Sequence, residues 1–270
     1  MSMNRNKYVI AIDMDGTLLN DEKDVSEETI NYFQELEKEG HIIILASGRP
    51  LRALKVYYDK IGLHSPLICY NGAYCCHPYD EEFNETHYTF PKEIIKSIYK
   101  DVKPYINNVM CETNDKIWLE KKDKHLAQFF WHDGMNITYG KIDETLNEDP
   151  WTMLMQGKSK QYDEYIIEAT RKHPGFDVRF WYESEYSEIY FTKTSKAACL
   201  NRVLSYYNIP HDNLICIGDA DNDIEMVSLA GIGVAMKNAN EALKKVAKII
   251  TKDDNNHDGV RKVIKEIIEK

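Results

Sequence analysis

The feature that most constrains this chain is an alternation of strand and helix that it keeps at both ends and drops in the middle. Lys7-Tyr-Val-Ile-Ala-Ile12 is a β-branched run. A helical stretch follows, with Ile30, Phe33 and Leu36 at helical spacing, Ser26 as the N-cap candidate, Glu27 and Glu28 in the first turn, and Gly40 as the stop. Ile42–Leu45 is the next strand, Pro50 opens a helix that runs through Leu54 to Ile61, and Pro66–Tyr70 is a third strand ending at Asn71-Gly72. The pattern returns after Phe191. Helix Ser195–Tyr207, strand Leu214–Ile217, helix Ile224–Ala230, strand Gly233–Met236, a helix from Asn240 through Val246 and a short strand Ile249–Thr251 follow in order. Strands that alternate with helices in this way build a parallel, doubly wound sheet.

The middle has another texture. From Tyr79 onward aromatic and charged residues are dense. Helices are expected over Pro91–Tyr99 and Tyr162–Arg171, and hairpins from Val109–Glu112 with Lys116–Glu120 and from Asp177–Tyr182 with Tyr186–Phe191. That composition suggests an antiparallel sheet covered by helices. The expected fold is therefore α/β: a doubly wound parallel-sheet (Rossmann-like) core made from residues 1–80 and 192–270, with an α+β domain, 81–191, inserted between them. A chain of 270 residues suits two modest domains.

Composition excludes several classes. The net charge is −10 and no basic block is present, which argues against a nucleic-acid backbone as partner. The longest clean apolar run, His41-Ile-Ile-Ile-Leu-Ala46, is far shorter than the roughly 20 residues of a membrane span. The opening Met1–Lys7 is polar and does not resemble a signal peptide, so a soluble, cytoplasmic protein is expected. None of the six cysteines forms a C-x-x-C pair, which removes a zinc ribbon; Cys69, Cys199 and Cys216 read as core residues and adjacent Cys75-Cys76 as reduced thiols.

Four features fall at strand ends or helix starts. In open α/β sheets, ligands bind at the carboxyl edge of the strands. Asp13-Met-Asp-Gly-Thr17 places two carboxylates at i and i+2, pointing the same way as they leave a strand. They repel unless a cation or a proton lies between them, and a hard ion such as Mg²⁺ suits oxygen ligands. Alone, the pair is equally an acidic turn. Gly218-Asp-Ala-Asp-Asn-Asp223 adds three carboxylates after another buried strand. Helix-start capping accounts for Asp221 and Asp223 but less well for Asp219. Ser47-Gly48 offers a hydroxyl and backbone N–H groups before a helix, a cradle for an anion or simply a turn. Lys196 lies in the first turn of a helix, where a cation opposes the dipole; it is either a solvated lysine or the partner of a bound phosphate.

Taken together, these segments resemble the haloacid dehalogenase superfamily of phosphohydrolases. The likeness is to its Cof-like branch and is carried by Asp13-Met-Asp-Gly-Thr-Leu18, Ala46-Ser-Gly-Arg49, Asn71-Gly72, Lys196, Gly218-Asp-Ala-Asp-Asn-Asp223, Gly233-Val-Ala-Met-Lys-Asn-Ala239 and Asp258-Gly-Val260. It departs from the branch at Ala197 and Lys237, where glycine is usual. The resemblance implies a Mg²⁺-dependent phosphatase of small phosphorylated metabolites: sugar phosphates, nucleotides or cofactor phosphates. Asp13 would be the nucleophile that becomes a phosphoaspartate, and Asp15 the acid and base. Asp13, the Asp15 carbonyl and Asp219 would hold the metal. Met14, Ser47, Gly48, Lys196 and Asn222 would hold the phosphoryl group, with Asp223 orienting Lys196 or metal-bound water. Arg49 and Asn71 are candidate substrate contacts. The inserted segment would be a cap over the site, with Trp181, Tyr182 and Glu183 at a hairpin tip as candidate contacts or simply a sheet face and turn. A phosphotransferase or mutase on the same scaffold, and a non-catalytic phosphometabolite sensor, are the competing readings. A receiver domain is disfavoured by the insertion and by the Asp13/Asp15 spacing.

Overall fold

The structure, a computed structural model, describes residues 7–123, 134–181 and 184–269. These residues separate into two compact units: the chain up to Thr86 with Ser195 onward, and His87–Thr194. The first division comes six residues later than the sequence pattern suggests. Phe83 packs edge-on against Tyr206 at 5.1 Å between ring centroids, which keeps the turn after Asp80 with the first unit.

The first unit is built on a sheet of β1 (Val9–Ile12), β2 (Ile42–Ala46), β3 (Leu67–Cys69), β4 (Tyr74–Cys76), β5 (Thr86–His87), β12 (Leu214–Gly218), β13 (Ile232–Ala235) and β14 (Ile249–Ile250). Edge to edge the order is β14-β13-β12-β1-β2-β3-β4-β5. From β14 to β3 every pairing is parallel, and β4 turns back antiparallel on β3. Parallel strands need both faces covered, and Val9–Ile12, Ile43–Ala46 and Leu214–Ile217 are fully enclosed. Because β1 lies between β12 and β2, the two ends of the chain interleave in one core. The strand order reverses at the β1/β12 pair, the place where open α/β sheets open a crevice.

The helices follow from their local chemistry. Helix α1 (Glu27–Lys38) starts where the Ser26 side chain accepts from Thr29 N, and it buries Thr29, Phe33 and Leu36, with Ile30 only partly covered. Helix α2 (Leu51–Ile61) follows Pro50 and stops at left-handed Gly62. Cys75-Cys76, read from the sequence only as reduced thiols, form the end of strand β4, paired with β3, and all six thiols are buried and free.

The second unit holds a sheet in the order β10-β11-β9-β6-β7-β8, with β6 (Ile106–Glu112), β7 (Lys116–Leu119), β8 (Asn136–Tyr139), β9 (Thr152–Gly157), β10 (Phe176–Phe180) and β11 (Tyr186–Phe191). Both expected hairpins are present as antiparallel pairs. Two elements differ from the sequence reading. The run Thr152-Met-Leu-Met155 forms β9 at the centre of the sheet, between β6 and β11. Strand β8 runs parallel to β7, which a link of more than a dozen residues permits. Helices α3 (Lys92–Val102), α4 (Ile142–Thr145) and α5 (Asp163–Arg171) belong to this unit, and Ile95, Ile98, Ile142 and Ile166 pack with Val109, Met153 and Ile189 on one sheet face. Met110, Ile117, Leu119 and Leu154 cluster separately, with Trp181 and Tyr186 against them. Tyr182 and Glu183 lie outside the described residues. Among the described residues no helix is long and apolar enough to cross a membrane.

Phe33 is enclosed in the first unit's core and remote in sequence from the acidic segments. Phe33→Ala should lower unfolding stability by about 3–5 kcal/mol, measured by urea denaturation.

Candidate active site

Each sequence-selected segment leaves the carboxyl end of a core strand or opens a helix. Asp13 follows β1, Ser47 follows β2, Asn71 follows β3, and Asp219 follows β12. Lys196 is the first residue of α6 (Lys196–Tyr207), whose N-cap Ser195 accepts from Ala198 N. The backbone of Asp13 is pinned from both sides, its N–H donating to Ile217 O at 3.0 Å and its carbonyl accepting from Leu18 N at 3.2 Å.

An ion-paired triad lies at the centre. Lys196 Nζ donates to Asp13 Oδ1 at 2.5 Å and to Asp223 Oδ1 at 2.7 Å. The Lys196 and Asp223 side chains have no solvent exposure, and Asp13 has 8%. Asp223 Oδ2 accepts from the N–H groups of Asp219 and Ala220 at 3.0 and 3.1 Å, so both of its oxygens are engaged. Asp219 is seated separately: Thr17 Oγ1 donates to its Oδ1 at 2.9 Å. Gly16, at φ +78°, leaves room for the carboxylate, since a Cβ there would sit 2.5 Å from Asp219 Oδ2.

The carboxylates of Asp13, Asp219 and Asp223 each bring an oxygen within 4.8 Å of the others. Three acids face one lysine, and the excess charge shows in the titration of Asp13 and Asp219. Burial, then the charge of Asp223, pushes the Asp13 carboxyl well above its usual range even though Lys196 opposes this. Burial and Asp223 likewise push Asp219 up to about 6. Burial disfavours the charged form of Lys196, but the two aspartates outweigh it and raise the ammonium above its ordinary value.

Asp15 stands apart from this group. Arg49 grips its carboxylate with two bonds of 2.6 Å, and Lys23 Nζ adds a third at 2.9 Å. Burial alone would raise the Asp15 carboxyl, but these two cations hold it below the usual range. Arg49, selected as a candidate substrate contact, is thus found on Asp15, with its guanidinium over the Tyr57 ring at 5.4 Å. Ser47 is buried and its Oγ accepts from Arg49 N at 3.1 Å. Asn222 Nδ2 donates to Asn71 Oδ1 at 2.9 Å. Met14 is enclosed, and its carbonyl accepts from Leu19 N at 2.9 Å.

Three participants were not singled out from the sequence. Thr17 lies inside the first acidic motif, and its hydroxyl was the available signal. Asn238 Nδ2 donates to Gly16 O at 2.7 Å and falls within the Gly233–Ala239 segment. Lys23 has no local signal, because only the fold brings it to Asp15. The departure at Lys237 is absorbed: that residue needs no positive φ, and its N–H donates to Thr251 Oγ1 at 2.8 Å.

This geometry has known counterparts. Residues 10–264 match the sequence profile of the haloacid dehalogenase-like hydrolases. The chain belongs to that family. This hydrolase is 34% identical over 267 residues to the 5-amino-6-(5-phospho-D-ribitylamino)uracil phosphatase YitU of Bacillus subtilis (strain 168), covering 98% of each chain. It is 29% identical to the phosphatase YcsE of the same organism, named for the same substrate, over 95% of this chain and 94% of that one. Among solved structures, TM0651 from Thermotoga maritima superposes with a TM-score of 0.80 at 26% identity, covering 97% of each chain. The fold is that of the family: a parallel-sheet core with an inserted α+β cap.

Replacing Lys196 with methionine leaves Asp13 and Asp223 facing each other without a cation. Lys196→Met should cost about 3–5 kcal/mol at neutral pH. The Asp13 carboxyl already titrates above its unfolded value, and without Lys196 it moves higher, so the folded chain gains relative stability as protons are taken up. The penalty should therefore grow from pH 5 to pH 8, measured by denaturant unfolding in EDTA.

Proposed function

We propose that this phosphatase of small phosphorylated metabolites uses Asp13 as its nucleophile. The observation that carries the reading is a buried Asp13 paired with a buried Lys196, beside a further carboxylate, Asp219, that makes no salt bridge among the described residues. In the first step an Asp13 oxygen bonds to phosphorus and the bond to the leaving oxygen breaks. Asp15 gives that oxygen its proton, producing a phosphoaspartate and an alcohol. In the second, Asp15 takes a proton from water as the water oxygen attacks phosphorus. The Asp13–phosphorus bond then breaks, and inorganic phosphate leaves. Arg49 and Lys23 hold Asp15 as an anion, so the acid step requires substrate to draw these cations away. Ser47 Oγ, the N–H groups of Met14 and Gly48, Lys196 and Asn222 would cradle the phosphoryl oxygens, and Asp223 keeps Lys196 charged and aimed.

The residues fit Mg²⁺. The donors are oxygens only, and the raised Asp13 and Asp219 carboxyls register a surplus of negative charge that a hard divalent ion would relieve. The Asp13 and Asp219 carboxylates and the Asp15 carbonyl would hold it. When bound, the ion supplies positive charge between the nucleophile and the phosphoryl dianion.

For substrate, the names of the two Bacillus relatives support 5-amino-6-(5-phospho-D-ribitylamino)uracil as the first candidate, ahead of sugar phosphates and flavin or pyridoxal phosphates. The net charge of −10 speaks for a small molecule rather than nucleic acid as partner. Six reduced, buried thiols suit the cytoplasm.

Asp13→Asn should lower turnover by roughly 10⁴-fold, with free phosphate as the readout and no acceptor alcohol present. Survival of hydrolysis in that variant would exclude Asp13 as nucleophile, and wild-type turnover that appears only with an added alcohol would assign transfer instead. Mg²⁺ must displace the proton that Asp219 takes up near pH 6. The Asp13 carboxyl is raised as well, so Mg²⁺ affinity should fall by at least about tenfold per pH unit below pH 6, followed by calorimetric titration. Affinity that is independent of pH from 5 to 8 would remove Asp219 from the ligand set.

A further inference from the structure

The segment after β3 has an unusual backbone. Tyr70, Asn71 and Gly72 all have positive φ, at +49°, +54° and +97°. A non-glycine residue in this region is uncommon, and asparagine is among the few that tolerate it. Two such residues in succession cost free energy that the surroundings must offset, and strain of this kind concentrates at functional sites. Here the surroundings are the segments of the phosphoryl cradle. Tyr70 N donates to Arg49 O at 3.1 Å, and Asn71 N donates to Ser47 O at 2.9 Å. A Cβ on Gly48 would lie 2.9 Å from Asn71 Nδ2, so the Asn71 amide is packed directly on Gly48. A Cβ on Gly72 would lie 2.2 Å from Ser195 O, and Cys199 Sγ donates to Gly72 O at 3.2 Å, so the same loop seats the start of α6 that carries Lys196. Asn71 Oδ1 accepts from Asn222 Nδ2. One tight loop thus touches every element of the cradle except Met14.

We propose that Asn71 is a positioning residue for phosphoryl binding: its side-chain carbonyl fixes which way the Asn222 amide faces. A primary amide has two donors on nitrogen and only acceptors on oxygen. With one Asn222 N–H held by Asn71 Oδ1, the nitrogen is turned toward the cradle and its second N–H is available to a phosphoryl oxygen. Without that acceptor the amide can rotate by half a turn and present its oxygen to the dianion, where the contact is repulsive. Asn71 therefore acts through Asn222 rather than on substrate. This rests on the reading of Asn222 as a phosphoryl ligand but not on the identity of the nucleophile.

The test is a double-mutant cycle on Asn71→Gly and Asn222→Ala, with inorganic phosphate as probe, bound in the presence of Mg²⁺ and measured by calorimetry. Glycine accepts the backbone at φ +54° without strain, so Asn71→Gly removes the amide and retains the loop; thermal unfolding checks this. Each single change should weaken phosphate binding by about tenfold, and the double variant should be no weaker than Asn222→Ala alone. Losses that multiply in the double variant, or an Asn71→Gly protein that binds phosphate as the wild type does, would overturn the proposal. The outcome is separable from the catalytic reading. Multiplicative losses together with an inactive Asp13→Asn protein would reject only this inference. A coupled pair together with an active Asp13→Asn protein would reject only the nucleophile.

Discussion

The structure turns on one buried cation. Lys196 is enclosed between Asp13 and Asp223, which lie 183 and 27 residues away in the chain. A lone ammonium in such a place would give up its proton, and lone carboxylates would take one up. Held between the two aspartates the ammonium stays charged, but only if β1, the turn after β12 and the start of α6 meet within hydrogen-bond distance. The ion pairs are a poor source of net stability, because desolvation consumes much of their attraction. Their value is geometric. They fix the side chain of Asp13 at the carboxyl end of β1, and they keep a positive charge beside it.

The sheet makes that meeting possible. Strand β1 comes from the beginning of the chain and β12 from its last third, yet they are neighbours in register from Val9↔Leu214 to Ile12↔Ile217. Chain order runs outward from this pair in both directions, so the loops that leave β1, β2, β3 and β12 collect on one edge of the sheet. The second unit is spliced into the connection between β5 and α6 and carries its own core.

Charge imbalance is the second recurring theme. Asp13, Asp219 and Asp223 outnumber their lysine, whereas Asp15 has two cations of its own in Arg49 and Lys23. The two acids of the Asp13-Met-Asp15 motif thus sit in opposite environments. One carboxyl is raised by burial and like charge, and the other is lowered by salt bridges. Burial and neighbouring charge thus separate two carboxyls that lie only two residues apart.

By itself the sequence determined the strand and helix alternation, the interruption in it, and the acidic, Ser-Gly and lysine segments at strand ends and helix starts, because these are local: β-branched runs, capping residues such as Ser26 and Asn240, and turn glycines act within a few positions. Asp13 and Asp219 were legible for the same reason, as acids in places where acids are expensive. Tertiary structure alone decided the partners. That Arg49 grips Asp15, that Lys23 joins it, that Thr17 anchors Asp219 and that Asn71 holds Asn222 depend on contacts between residues up to 202 apart. The strand β9 at the centre of the second sheet was missed because a short apolar run looks alike in strand and helix until its neighbours are known. Side-chain pairing and sheet order are properties of distance in space, and sequence spacing carries them only where the two coincide.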